Sequence, residues 1–414
     1  MGSWSVLRLG PLALDWEKEN IDPRLWSLFT ENERVTTDGA SSSDDESPTL
    51  TYRLRADQLV DRLELQGFGL TDTARQFDAQ LARRQSKQEP SDAHLQGGFT
   101  FDRWVHDIAR CVARYQSADD ASRFGDGSHW LTWGMTELSA AGELVGEVAG
   151  IPFPTQIDAR FFVRAMLATL PTDSEVVFDC SQLIGVHDLQ ASDISVTMFA
   201  DDPIWGPFAE KRPLILLTEG STDTYILEST VALRFPHLRE YVTFPDFERS
   251  NAEGGADRVV QTVRAFAAAK IQNRTVALLD NDAAATDALR ALKPSDLPPT
   301  IRVVRLPELS FARRYPTLGP DGRSELDVNG RAVSLEFFVG RDILQETNGH
   351  LPLVQWTGYK NRVQLHQGEL LQKSAIQERY RAFAKQATHD PGLVAAHDWS
   401  SMEVLWHAII HAFD

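Results

Sequence analysis

The chain has 414 residues, of which 42% are hydrophobic and 24% charged, with a formal net charge of −18 at pH 7. That length exceeds one ordinary core and calls for two or three domains, while the composition excludes global disorder. Two separated cysteines, Cys111 and Cys180, exclude a disulfide scaffold and a cysteine zinc site, and the acidity argues against tight, non-specific nucleic-acid binding.

The opening Met1-Gly2-Ser3-Trp4-Ser5 has neither a basic n-region nor an apolar h-region, so no signal peptide is expected. Without a run of about eighteen apolar residues no membrane span is expected either, and a reducing cytoplasm fits. Trp4 to Leu9 reads as a strand, and Thr37 to Ser47 as a polar acidic loop with nothing to bury. Thr49 to Leu54 is strand-like. Helical spacing of apolar residues then marks Ala56–Leu65, Thr71–Arg84 and Phe101–Tyr115. Asp158–Leu170 reads as a helix and Glu175–Leu183 as a strand. Asp201-Asp202-Pro203 to Pro207 has the composition of a linker.

Beyond the linker the pattern becomes regular. Strands are expected at 214–218, 241–245, 275–279 and 300–306, with helices at 223–235, 256–270 and 283–292 between them. Alternation of this length implies βαβ crossovers and a parallel sheet. From Phe337 onward the chain reads as helical, most clearly at Glu369–Thr388 and Ser400–Phe413.

Two of the expected strands end in acids. Leu214-Ile215-Leu216-Leu217 runs into Thr218-Glu219-Gly220, with Asp223 four positions on. Val276-Ala277-Leu278-Leu279 runs into Asp280-Asn281-Asp282. Open α/β sheets place ligands at the C-terminal ends of their strands, and converging carboxylates there suit a hard cation such as Mg²⁺. The bland alternatives are a polar turn at Glu219, a helix cap at Asp223 and an Asx turn at Asp280 and Asp282. Asp246 and Glu248 follow the second strand and read as a solvated loop. Arg302, Arg305, Arg313 and Arg314 form the most basic local cluster, which suits either phosphate contact or surface ion pairs; Lys360, Arg362 and Lys373 stand under the same alternatives.

A strand ending in Glu219-Gly220 and a later strand ending in Asp280-Asn281-Asp282, one βα unit apart, resemble the Toprim domain of topoisomerases, primases and overcoming-lysogenization-defect nucleases. The opening five residues, Leu59 to Gly67, Asp158-Ala159-Arg160 and Ser250 to Ala256 look like those of bacterial HEPN/Toprim-type proteins. The resemblance implies an α/β fold: a Toprim-like Rossmannoid sheet at 211–340, an N-terminal α+β domain at 1–200 and a helical C-terminal region at 341–414.

It also implies an Mg²⁺- or Mn²⁺-dependent nuclease linked to phage defence. Its catalytic residues are Glu219, Asp280 and Asp282, with Asp223 and Glu336 as further metal ligands. Glu219 is left open between metal ligand and general acid/base, and Glu336 between ligand and helix-start residue. Expected partners are a nucleic-acid substrate, a separately encoded ATPase (no Gly-x4-Gly-Lys-Ser/Thr loop is present) and a second copy of the chain. Arg123 and His129 have the spacing of a HEPN ribonuclease pair, but the turn sequence between them argues against it. His407 and His411 read as an ordinary helix pair. The rival functions are a haloacid-dehalogenase-like phosphatase and a degenerate, non-catalytic Toprim module.

Overall fold

The computed structural model describes residues 5–10, 12–16, 23–37, 48–87, 100–117, 158–184, 189–198, 201, 203, 210–245, 255–293, 295, 297–346 and 348–414. They fall into two compact units, Met1–Lys211 with Asp414, and Arg212–Phe413.

The first unit holds strands β1 (Ser5–Leu9), β2 (Leu12–Trp16), β3 (Arg34–Thr37), β4 (Thr49–Arg55) and β5 (Glu175–Asp179), in the antiparallel order β2-β1-β5-β4-β3. Helices α1 (Pro23–Trp26), α2 (Ala56–Gln66), α3 (Leu70–Lys87), α4 (Phe101–Ser117) and α5 (Ala159–Leu167) accompany them. Alternate residues of β1 turn inward, so Leu7 and Leu9 are fully buried with Trp26, Phe29, Tyr52 and Phe178. Asp158 caps α5 by accepting the Arg160 N–H, and Gly67 (φ 96°) ends α2 in the left-handed conformation. The buried charges are matched: Arg62 pairs with Glu33 at 2.6 Å and Arg164 with Glu64 at 2.9 Å.

In the second unit, β6 (Leu214–Leu217), β7 (Val242–Thr243), β8 (Thr275–Leu279) and, after the two-residue β9 (Asn281–Asp282), β10 (Ile301–Arg305) carry the expected alternation. The sheet is parallel throughout, in the order β10-β8-β6-β7. Every residue of β8 is buried, as an inner parallel strand requires. The crossovers are α6 (Ser221–Arg234), α7 (Ala256–Ala269) and α8 (Ala283–Leu289); Val259 and Val263 of α7 pack with Leu217, Ala277 and Leu279.

C-terminal to this sheet the chain departs from the helical expectation. β11 (Tyr315–Gly319), β12 (Gly322–Leu326), β14 (Val354–Lys360) and β15 (Leu365–Leu370) make a second sheet, ordered β12-β11-β14-β15, while β13 (Ala332–Val333) pairs with β9. The β-forming residues Val354, Trp356 and Tyr359 and the pairing of β14 with both β11 and β15 override the helical reading of 354–370. Helices are present further on: α9 (Arg341–Leu344) precedes the hairpin, and α10 (Lys373–Ala387), α11 (Pro391–Ala396) and α12 (Ser400–Ile410) follow it. The fold is thus α/β with a parallel sheet and C-terminal helices. Among the described residues no helix is long and apolar enough to cross a membrane.

Candidate metal centre at the strand ends

β6 and β8 are neighbours, and their C-terminal ends bring the two acidic motifs together. Glu219 leaves the sheet one residue beyond Thr218, and its Oε1 accepts the backbone N–H of Asp280 at 2.8 Å. Gly220 stands as the N-cap of α6, with Asp223 in the first turn. The Asp223 carboxylate accepts the Gly220 N–H, so it serves as a local cap and still belongs to the acidic group.

The chain breaks its pleat at Asp280. β8 ends at Leu279, and Asn281 and Asp282 pair instead with Val333 and Ala332 of β13. Asn281 is buried and accepts Arg305 Nη2 at 2.6 Å. The same β13 turn delivers Glu336. Fully buried, it accepts Ser334 Oγ at 2.6 Å, Gln377 Nε2 at 2.6 Å and the ammonium of Lys373 at 3.3 Å.

The electrostatics follow from this crowding. Burial pushes the Glu219 carboxyl up to about 7, opposed by the Asp280 N–H and reinforced by Asp282 and Asp223. Burial, then Glu336, raises Asp223 to about 6. Asp280 is pushed well above the carboxylate range by burial, then by Glu219 and Asp223. Burial works against the Lys373 ammonium, but Glu336, Asp280 and Asp223 outweigh it and hold its pKa above the usual lysine range. One ammonium faces several carboxylates. The imbalance and the all-oxygen chemistry suit a hard divalent cation, with Glu219, Asp223, Asp280 and Glu336 as candidate ligands, although no three of them bring carboxylate oxygens within 4.8 Å of one another in this structure.

Asp282 stands differently. Its Oδ1 caps α8 by accepting the Ala285 N–H at 2.7 Å, and its Oδ2 accepts Gln367 Nε2 at 2.8 Å. Its two oxygens are thus engaged in holding α8 and the β14–β15 hairpin, and the expectation of a helix-initiating Asx arrangement describes that geometry. Gln367 also accepts the Ala284 N–H at 2.9 Å.

The basic candidates separate. Arg313 pairs with Glu308 and Arg314 with Glu325 on the exposed surface. Arg305 reaches the strand end through Asn281 and the Asp282 carbonyl. Lys373, grouped by sequence with Lys360 and Arg362, lies instead beside the acids. Gln367, Ser334 and Gln377 were not visible as candidates, because nothing local to their segments marks them. Asp246, Glu248, Asn251 to Gly254, Arg123 and His129 lie outside the described residues.

The family model of HEPN/Toprim N-terminal domain 1 matches residues 1–194. The N-terminal region is thus similar to the N-terminal domain that this family model describes. The match lies in the unit that does not contain the carboxylate cluster. No curated protein and no solved structure matches the chain.

Proposed function

We propose that residues 211–340 form a Toprim catalytic domain and that the chain is a Mg²⁺- or Mn²⁺-dependent nuclease hydrolysing phosphodiester bonds of DNA or RNA. The reading rests on the convergence of Glu219 and Asp280 at adjacent parallel strand ends, inside a carboxylate group that a single ammonium leaves unbalanced. A bound divalent cation would polarise the phosphoryl oxygens and favour the attacking hydroxide. Asp280, Asp223 and Glu336 would hold it. Glu219, with a pKa raised to about 7, can take or give a proton at the carboxylate oxygen not engaged by the Asp280 N–H. Asp282 positions the site by fixing α8 and the hairpin. The N-terminal HEPN/Toprim-associated region favours a role in phage defence, with a separately encoded ATPase or a second copy as partner.

A second reading has its own support. Lys373 already neutralises Glu336, and both Asp282 oxygens are engaged within the protein, as suits a degenerate Toprim module that senses or assembles without cutting. A panel of DNA and RNA substrates with Mg²⁺ or Mn²⁺, run with D280A and with a phosphomonoester control, separates the possibilities. Cation-dependent cleavage lost in D280A is the expected result. Cleavage retained in D280A overturns the assignment, hydrolysis of the monoester alone indicates a phosphatase, and no reaction with any substrate favours the sensor.

A further inference from the structure

The hairpin formed by β14 and β15 is tied to the carboxylate centre at two points. Gln367 of β15 bonds to Asp282 and to the first turn of α8, and the Gly368 N–H donates to the Arg331 carbonyl at 3.0 Å beside β13. At the other end, Arg290, which closes α8, donates to the carbonyl of Arg362 at 2.6 Å. The hairpin therefore lies along α8 as a braced element.

On that braced element sits an aromatic row that the carboxylate site does not use. Tyr359 is directly opposite His366, with ring centroids 4.9 Å apart, and Trp356 follows at 6.2 Å from His366. Tyr359 is 49% exposed and His366 is exposed as well. No hydrogen bond engages the Tyr359 hydroxyl or the His366 ring nitrogens among the described residues. Lys360 and Arg362 adjoin the row at the hairpin tip, and neither cation is held by an acidic side chain among the described residues. Exposed aromatic faces flanked by cations on a braced hairpin offer stacking and phosphate-binding chemistry side by side.

We propose that the β14–β15 hairpin is a stacking platform for a single, unpaired nucleic-acid strand, with bases on Tyr359 and His366 and phosphates along Lys360 and Arg362. This deepens the phosphodiester reading above and rests on it. Flat π-faces accept any unpaired base but not a base locked in a duplex, while the two cations supply local positive charge on a chain whose net charge is −18. His366 and Gln367 are adjacent and turn to opposite faces of β15, about 3.4 Å apart along the strand. The rings therefore lie on the face of β15 turned away from Gln367 and Asp282, so the platform is a binding surface separate from the acids.

Fluorescence anisotropy of fluorescein-labelled single-stranded DNA, single-stranded RNA and duplex DNA, with the full chain in EDTA, tests the proposal. Single strands should bind more tightly than duplex, and the two single-stranded arms tell DNA from RNA. Y359A/H366A should weaken single-strand binding by about tenfold or more while Y359F retains it. K360A/R362A should lower the salt slope by about 1.4. Equal affinity for duplex, no binding to any of the three probes, or wild-type affinity in Y359A/H366A with an unchanged circular dichroism spectrum would each overturn the platform. Cleavage assays on the same variants keep the two claims apart. Loss of cleavage in D280A with full binding by Y359A/H366A removes the platform alone; hairpin-dependent binding with cleavage intact in D280A removes the nuclease assignment alone.

Discussion

Buried charge is handled in opposite ways in the two units. In the N-terminal unit each buried ion has its own partner: Glu33 accepts both nitrogens of the Arg62 fork along with the N–H and hydroxyl of Thr30, and Glu64 accepts Arg164 and the Leu70 N–H. In the second unit Glu219, Asp223, Asp280 and Glu336 share one half-exposed ammonium. Matched ions lock a fold, because removing either partner strands the other in low dielectric. Unmatched acids weaken the fold by their mutual repulsion and are relieved by a cation or a proton, which is the arrangement expected of a site.

The sharpest way to break the comparison is in the N-terminal unit. E33A leaves the fully buried Arg62 guanidinium without its carboxylate and should cost about 3–5 kcal/mol in urea denaturation. A loss below about 1 kcal/mol would mean the pair is not the lock it resembles. K373M should be milder, about 1–3 kcal/mol, since Glu336 keeps Ser334 and Gln377 when the half-exposed ammonium goes. The opposite sign is expected at the strand ends. D280N replaces a carboxyl whose ionisation the folded chain penalises with a neutral amide of the same shape, so it should raise the melting temperature of metal-free protein at neutral pH and abolish any stabilisation by Mg²⁺. A lowered melting temperature would indicate that Asp280 is held by a partner instead.

The pH dependence has a definite sign. Glu219 rises from 4.5 to about 7 and Asp223 from 3.8 to about 6 in the folded chain. Between the unfolded and folded values the native state binds more protons than the unfolded one, so metal-free stability should be greatest below about pH 4 as far as these groups are concerned. It should fall as pH rises to about 7. Saturating Mg²⁺ should flatten that slope in thermal melts at several pH values. The smallest effect belongs to the exposed pair Arg314–Glu325, where R314A should change stability by no more than about 1 kcal/mol.

Much of the sheet was legible. Short apolar runs bounded by polar turns and alternating with helical periods read as strands, and the four parallel strands stand within a few residues of their expected places, although only Val242 and Thr243 of the 241–245 stretch pair. The hairpin at 354–370 stands where the local pattern predicts helix. Its stability comes from pairing with β11, a partner far away in the chain, and not from any local period.

That Glu219 and Asp280 emerge at C-terminal strand ends follows from periodicity and strand-closing acids, which are local properties. How the acids are used depends on contacts between segments far apart in the chain. Asp282 turned to cap α8 and hold Gln367, Glu336 came into the group through the pairing of β13 with β9, and Lys373 was drawn from an expected surface cluster to the carboxylates. These outcomes depend on which distant segments the topology brings within hydrogen-bonding distance, and a reading confined to neighbouring residues carries no information on that.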